Sequence, residues 1–146
     1  NAMRTLAVFG MKFDFKNLGA LTLRGRCEVL APHIVLDVGH NFDGARVLKE
    51  QFIGKKVNLV YNSYVEKDIE AILRELLPII KKVLIISVEN YRICPRGKLI
   101  DVLIKLGIAY EDFNVHILSH NESYLVFGSF SVVQKFLQEY QEYKEK

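Results

Sequence analysis

Short apolar runs that alternate with helical patterns constrain this chain more than any other feature. "HIVLDV" (33–38), "KVNLVYN" (56–62) and "KVLIISV" (82–88) are too apolar to belong to half-exposed strands. Strands of that kind are buried on both faces, which requires helices above and below the sheet. Helical periods fill the gaps between them. Residues 42–53 carry Ala45, Leu48 and Phe52 near one face. Residues 67–80 place Ile69, Ile72, Leu73 and Leu76 at i, i+3, i+4 and i+7 spacing. Pro95 is a good first helical residue and Gly107 a good stop, with Leu99, Val102, Leu103 and Leu106 between them. Val133, Phe136, Leu137 and Tyr140 mark a last helix, whose tail "QEYQEYKEK" is solvated. "CEVL" (27–30), "NVHILS" (114–119) and "SYLVFGS" (123–129) complete the strands, the last two joined by a turn at Asn121-Glu122. The pattern predicts an α/β, Rossmann-like three-layer domain on a mostly parallel sheet of about six strands.

Bulk properties narrow the class. With 146 residues, half of them hydrophobic, the chain suits one domain with a real core. No apolar run approaches the roughly 20 residues of a membrane helix. The opening is too short and too weakly apolar for a signal peptide. A net charge of +3, with lysines scattered in pairs such as Lys55-Lys56 and Lys81-Lys82, does not point to nucleic acid. Cys27 and Cys94 match no zinc or redox spacing and read as reduced, buried thiols of a cytoplasmic protein. His33, His116 and His120 lack partners at metal spacing, and no metal ligand set is expected. Asn1-Ala2-Met3 reads as the remnant of an expression tag, residues 4–23 as a connecting stub, and 24–146 as the domain.

In parallel α/β sheets, ligands bind beyond the carboxyl ends of the strands. The chemistry-bearing residues of this chain collect there. "LDVGHNFDGARVL" (36–48) ends a strand in Asp37 and reaches His40 and Asn41 just as a helix begins. A helix start offers unpaired N–H groups and positive potential. Taken alone, Asn41 is equally a helix cap and Asp37 a loop acid. Arg26, before the first strand, is a surface arginine or an anion clamp. "NSYVEKD" (62–68) holds Asp68, a candidate cap. "ENYRICP" (89–95) holds Arg92. "FGSFS" (127–131) holds Ser129 and Ser131, either of which can cap the final helix. Neither GxxxxGK[ST] nor GxGxxG occurs, so this stretch of sequence has no phosphate cradle of its own.

In order, these pieces resemble the C-terminal domain of folylpolyglutamate synthase/dihydrofolate synthase, in the Mur ligase superfamily. Gly25-Arg26-Cys27-Glu28 is similar to the family's Gly-Arg-Phe-Glu-like stretch, and Asp37-Val38-Gly39-His40-Asn41 to its Asp-Gly-Ala-His-Asn signature. Val65-Glu66-Lys67-Asp68 resembles a Lys-Asp-Lys-Asp-like stretch, Asn90-Tyr91-Arg92 an Asn-Pro-Arg-like one, and Gly128-Ser129-Phe130 a Gly-Ser-Leu/Phe element. The likeness runs from about residue 17 to 143. Arg24 stands where the family often has proline, Val38 and Phe42 replace a usual glycine and proline, and the segment from Gly107 to Ser123 is short for the extra helix of many members.

The resemblance implies an ATP-dependent ligase that adds L-glutamate to dihydropteroate or folate through an acyl phosphate. It implies an N-terminal P-loop ATPase domain of the same polypeptide as partner, with Mg2+ held by that domain and the phosphates, and nothing tightly bound by this piece. It also implies roles. Arg26 contacts nucleotide phosphate or ribose, Asp37 the ribose or an ordered water, and Asn41 belongs to the same nucleotide site. His40 faces the terminal phosphate or the incoming glutamate. Arg92 and Ser129 are candidates for the glutamate carboxylates. Two other readings stand beside this one. The first is a muramyl-peptide ligase domain. The second is a flavodoxin-like signalling domain with Asp37 as phosphoacceptor, disfavoured because Ala31-Pro32, not an acidic pair, follows the first strand.

Overall fold

The structure is a computed structural model and describes residues 26–145. The expected tag remnant 1–3, the connecting stub 4–23, and Arg24 and Gly25 lie outside the described residues.

Six strands form one sheet: β1 (Glu28–Ala31), β2 (Ile34–Asp37), β3 (Val57–Tyr61), β4 (Ile80–Ile85), β5 (Tyr110–Asp112) and β6 (Tyr124–Phe127), in the order β1-β2-β6-β3-β4-β5. Only the β1–β2 pair is antiparallel. Four helices are described: α1 (Phe42–Gln51), α2 (Ile69–Leu76), α3 (Arg96–Leu106) and α4 (Phe130–Lys144). The expected three-layer α/β domain is what forms.

The strand residues divide by parity, as a pleat requires. Leu59, Val83, Ile85, Leu125 and Phe127 point to one face, where they meet Ala45 and Leu48 of α1, Ile72 and Leu76 of α2, and Leu99 and Leu103 of α3. Val60, Leu84, Ile86 and Val126 point to the other, covered by Val132, Val133, Phe136 and Leu137 of α4. Both faces exclude water, so residues 59–61, 83–86 and 124–127 run on without polar alternation.

Caps set the helix starts. Asn41 accepts from the Gly44 N–H at 2.8 Å, Asp68 from Ala71 at 3.1 Å, and Ser129 from Val132 at 3.1 Å. Ser129, rather than Ser131, caps the final helix. Gly107, at φ 72°, closes α3 in the left-handed region.

The expected helix over 67–80 is shorter than its periodicity. Pro78 has no N–H to donate, so α2 ends at Leu76, a 3-10 turn spans Leu77–Ile79, and β4 starts at Ile80 rather than 82. The expected strand at 114–119 does not form. Asn114 accepts from the His116 N–H at 2.9 Å and opens a 3-10 turn, Val115–Ile117. The sixth strand is instead Tyr110–Asp112, exposed throughout and paired with β4. Its three polar, solvated residues carry no apolar pattern. Ion pairs from Glu111 to Lys82 and from Asp112 to Arg96 accompany its pairing.

Candidate functional site

The parallel strands end in register. Asp37, Phe127, Tyr61, Ile85 and Asp112 are lateral neighbours across the sheet, so the loops that follow them rise from one edge. The Tyr61 and Phe127 rings stack 6.1 Å apart beneath this edge.

Asp37 is buried, and its carboxylate is already occupied by the chain. Oδ1 accepts from the Gly39 N–H at 2.7 Å and Oδ2 from the Cys27 N–H at 3.1 Å, while Arg26 Nη1 lies 3.7 Å from Oδ1. Burial pushes the Asp37 carboxyl above the usual aspartate range; the Gly39 amide, Arg26 and the Cys27 amide pull it back. The acid therefore ties two segments ten residues apart, the one that carries Arg26 and the one that carries His40. The tie is tight. A Cβ at Gly39 would lie 2.8 Å from Asp37 Oδ1 and 3.1 Å from Arg26 Nη1, so a larger residue there must push those two side chains aside. Cys27 adopts φ 53°, unusual for a residue with a side chain. It is half-buried rather than buried, and burial beside Asp37 pushes its thiol up to about 11, which leaves it protonated and unreactive.

His40 follows at the mouth of α1, half-buried. Burial first, then the charges of Lys67, Arg26 and Arg92, hold its imidazole below the ordinary 6.5, with Glu66 opposing. Four segments of the sequence thus reach one electrostatic neighbourhood. At neutral pH, the imidazole within it is uncharged and able to accept a proton. Asn41 is exposed, and its side-chain oxygen is spent on the cap.

The β3–α2 and β4–α3 loops are zipped together. Val65 N–H donates to the Arg92 carbonyl at 2.7 Å and Cys94 N–H to the Ser63 carbonyl at 2.8 Å, around an isolated bridge between Tyr64 and Ile93. Arg92 pairs with Glu66, and its guanidinium carbon lies 4.1 Å from the Tyr64 ring centroid. Tyr64 Oη in turn lies 2.7 Å from Ser131 Oγ in the first turn of α4. Asn62, buried, donates to the Ile86 carbonyl at 2.8 Å and accepts from the Ser63 N–H, fixing the end of β3. Gly128, at φ 140°, lets β6 pass this point: a Cβ there would sit 1.9 Å from the Asn62 carbonyl oxygen.

Arg26, Asp37, His40 and Arg92 therefore share one rim. Ser129 stands at the same edge, buried, with its oxygen turned to the start of α4. Sequence reasoning gave no role to Lys67, Glu66, Tyr64 or the buried pair Asn62-Ser63. A usable signal for the last was two polar residues directly after a wholly buried strand. The cations Arg26, Lys67 and Arg92 beside a helix start suit the phosphates or carboxylates of an anion. Among the described residues no three His, Cys, Asp or Glu groups come together as a metal-ligand cluster. No helix among them is long and apolar enough to cross a membrane.

Solved structures carry the same fold. Helicobacter pylori folylpolyglutamate synthetase is 42% identical over 97% of this chain, with a TM-score of 0.79. A bifunctional folylpolyglutamate synthase/dihydrofolate synthase of Yersinia pestis, complexed with AMPPNP and a Mn ion, is 26% identical over 78% of the chain, with a TM-score of 0.66. A folylpolyglutamate synthase from Thermotoga maritima, 24% identical over 97%, shares the fold at a TM-score of 0.67. The chain spans 38%, 30% and 37% of these proteins respectively. No protein-family model and no curated protein matches it significantly.

Proposed function

The chain is a folylpolyglutamate synthase-type domain, and from that premise we propose that it is the C-terminal domain of an ATP-dependent ligase joining L-glutamate to dihydropteroate or a folate. The observation that carries this reading is the set of cations at one sheet edge. The charges of Lys67, Arg26 and Arg92 all disfavour the His40 imidazolium, and Asp37 ties the Arg26 segment to the His40 loop. The AMPPNP and Mn complex of the Yersinia pestis protein supports ATP and a divalent cation as reactants of the whole enzyme. In this reading a P-loop ATPase domain of the same polypeptide would supply the phosphate cradle and hold Mg2+, which would neutralise phosphate charge.

In this reading the terminal phosphate passes from ATP to the carboxylate of the pterin substrate. The amine of glutamate then attacks the acyl phosphate, phosphate leaves and an amide remains. Such transfers depend on positioning and charge neutralisation. Arg26 meets nucleotide phosphate or ribose. Asp37 acts at one remove, by holding Arg26 and the Gly39–His40 backbone in place. His40, uncharged, faces the terminal phosphate or the attacking amine, whose proton it can accept. Asn41 orders the start of α1 beneath the phosphates. Arg92 and the hydroxyl proton of Ser129 meet the glutamate carboxylates. Closure of this domain over the nucleotide excludes water from the acyl phosphate.

The test is an assay of the complete ligase with ATP, labelled glutamate and each pterin substrate in turn. His40→Ala should lower kcat by about a hundredfold, the scale of one lost transition-state contact. The 146-residue chain alone should show no turnover. Unchanged kcat in the variant removes His40 from the chemistry, and micromolar ATP binding by the chain alone refutes the division of labour.

A further inference from the structure

Arg92 is half exposed, and so is Glu66, its one ion-pair partner among the described residues. Exposed pairs of this kind hold a long side chain only loosely. Glu66 holds the guanidinium through Nη2, so a carboxylate ligand that takes Arg92 bidentately through both Nη groups competes with Glu66 for that edge. Something else must keep Arg92 in place while its partner is exchanged.

Tyr64 is built to do so. Its ring lies under the guanidinium, 4.1 Å from centroid to carbon, a contact that persists whatever anion occupies the edge of the fork. The ring is itself fixed at both ends. Its hydroxyl shares a 2.7 Å hydrogen bond with Ser131 in the first turn of α4, and its backbone bridges Ile93, next to Arg92. The neighbouring Val65 N–H donates to the Arg92 carbonyl at 2.7 Å. One side chain thus joins the loops after β3, β4 and β6, and presents the arginine of one to the rim formed by all three.

We propose that Tyr64 is the positioning residue of Arg92: its aromatic face holds the guanidinium ready for the carboxylate of the incoming amino acid, and Glu66 is the partner that carboxylate displaces. The inference rests on the reading of Arg92 as a glutamate contact. Tyr64 touches no reacting atom and acts through Arg92 alone.

The experiment uses the complete ligase and measures KM for glutamate, KM for ATP, kcat and the thermal midpoint. Tyr64→Leu removes the platform and should raise KM for glutamate about fivefold, with kcat and KM for ATP within about twofold. Tyr64→Phe keeps the ring and should stay within about twofold of the parent in all three. Tyr64→Met, of similar bulk, repeats the measurement if Leu impairs folding. Glu66→Gln removes the competitor and should lower KM for glutamate. An unchanged KM for glutamate in Tyr64→Leu and Tyr64→Met, or equal effects in Phe and Leu, overturns the proposal. So does a parallel loss of all parameters that merely tracks the thermal midpoint. Arg92→Ala separates the two levels. If it raises KM for glutamate while Tyr64→Leu does not, only the positioning role fails; if it leaves KM unchanged, the reading of Arg92 as a glutamate contact fails, and this inference with it.

Discussion

Asp37→Ala tests the tie on which the candidate site is built. The wild-type carboxylate takes two backbone donors, Gly39 N–H at 2.7 Å and Cys27 N–H at 3.1 Å, one buried and one partly so. Alanine leaves both without an acceptor. A buried donor stripped of its partner costs about 1–3 kcal/mol. Two such losses set an upper range of roughly 2–6 kcal/mol, which two effects trim. Burial holds the carboxyl above its usual range, so removing the charge returns some desolvation cost. Water can also reach the Cys27 side. The Arg26 pair adds little, because its guanidinium is half exposed. The expected net loss is about 2–3 kcal/mol, a fall in Tm of roughly 5–10 °C for a chain of this size. Asp37→Asn keeps one acceptor and should lose about half as much. Asp43→Ala, an exposed acid on α1, is the control and should change stability by less than about 0.5 kcal/mol. The sequence has no tryptophan, so urea unfolding is best followed by far-UV circular dichroism. The amides of Gly39 and Cys27 should also exchange with deuterium faster in the variant. A Tm within 1 °C of wild type, with both amides still protected, would refute the tie.

Gly128→Ala should be far more damaging than its chemistry suggests. The new Cβ would lie 1.9 Å from the Asn62 carbonyl oxygen at a φ of 140°, and a loss above about 3 kcal/mol is expected by urea denaturation. His40 should titrate below 6.5 by NMR and move back toward that value in Lys67→Ala, since burial and the Lys67 charge both disfavour the imidazolium. Because the folded value lies below the unfolded one, the stability linked to His40 is complete above pH 6.5 and declines as pH falls; a midpoint above 6.5 contradicts the cationic surroundings.

Much of this molecule is local and was legible from the chain. The 3.6-residue period placed α1, α3 and α4 close to their observed limits, and Asn41, Asp68 and Ser129 cap the helices they precede. Continuous apolar runs announced a sheet buried on both sides. Pro78 marked the place where a helical period is cut short, a local signal that the periodicity of 67–80 overrode in the reading. β5 left no trace, because the pairing of Tyr110–Asp112 with β4 is a backbone interaction that its exposed side chains do not encode.

The candidate site divides in the same way. By itself, the sequence determined which residue types stand at the ends of buried strands: an arginine, an acid, an imidazole, and a serine at a helix start. What those residues do was decided by contacts between distant segments. The sequence shows an acid at Asp37; that its carboxylate accepts from the Cys27 and Gly39 amides is visible only in the fold. Arg92 could be free until Glu66, twenty-six residues away, and Tyr64 were found against it. Periodicity and capping depend on neighbours within one helical turn, which a sequence displays directly. The occupancy of a carboxylate or a guanidinium depends on which strands lie side by side, and that is a property of the folded sheet.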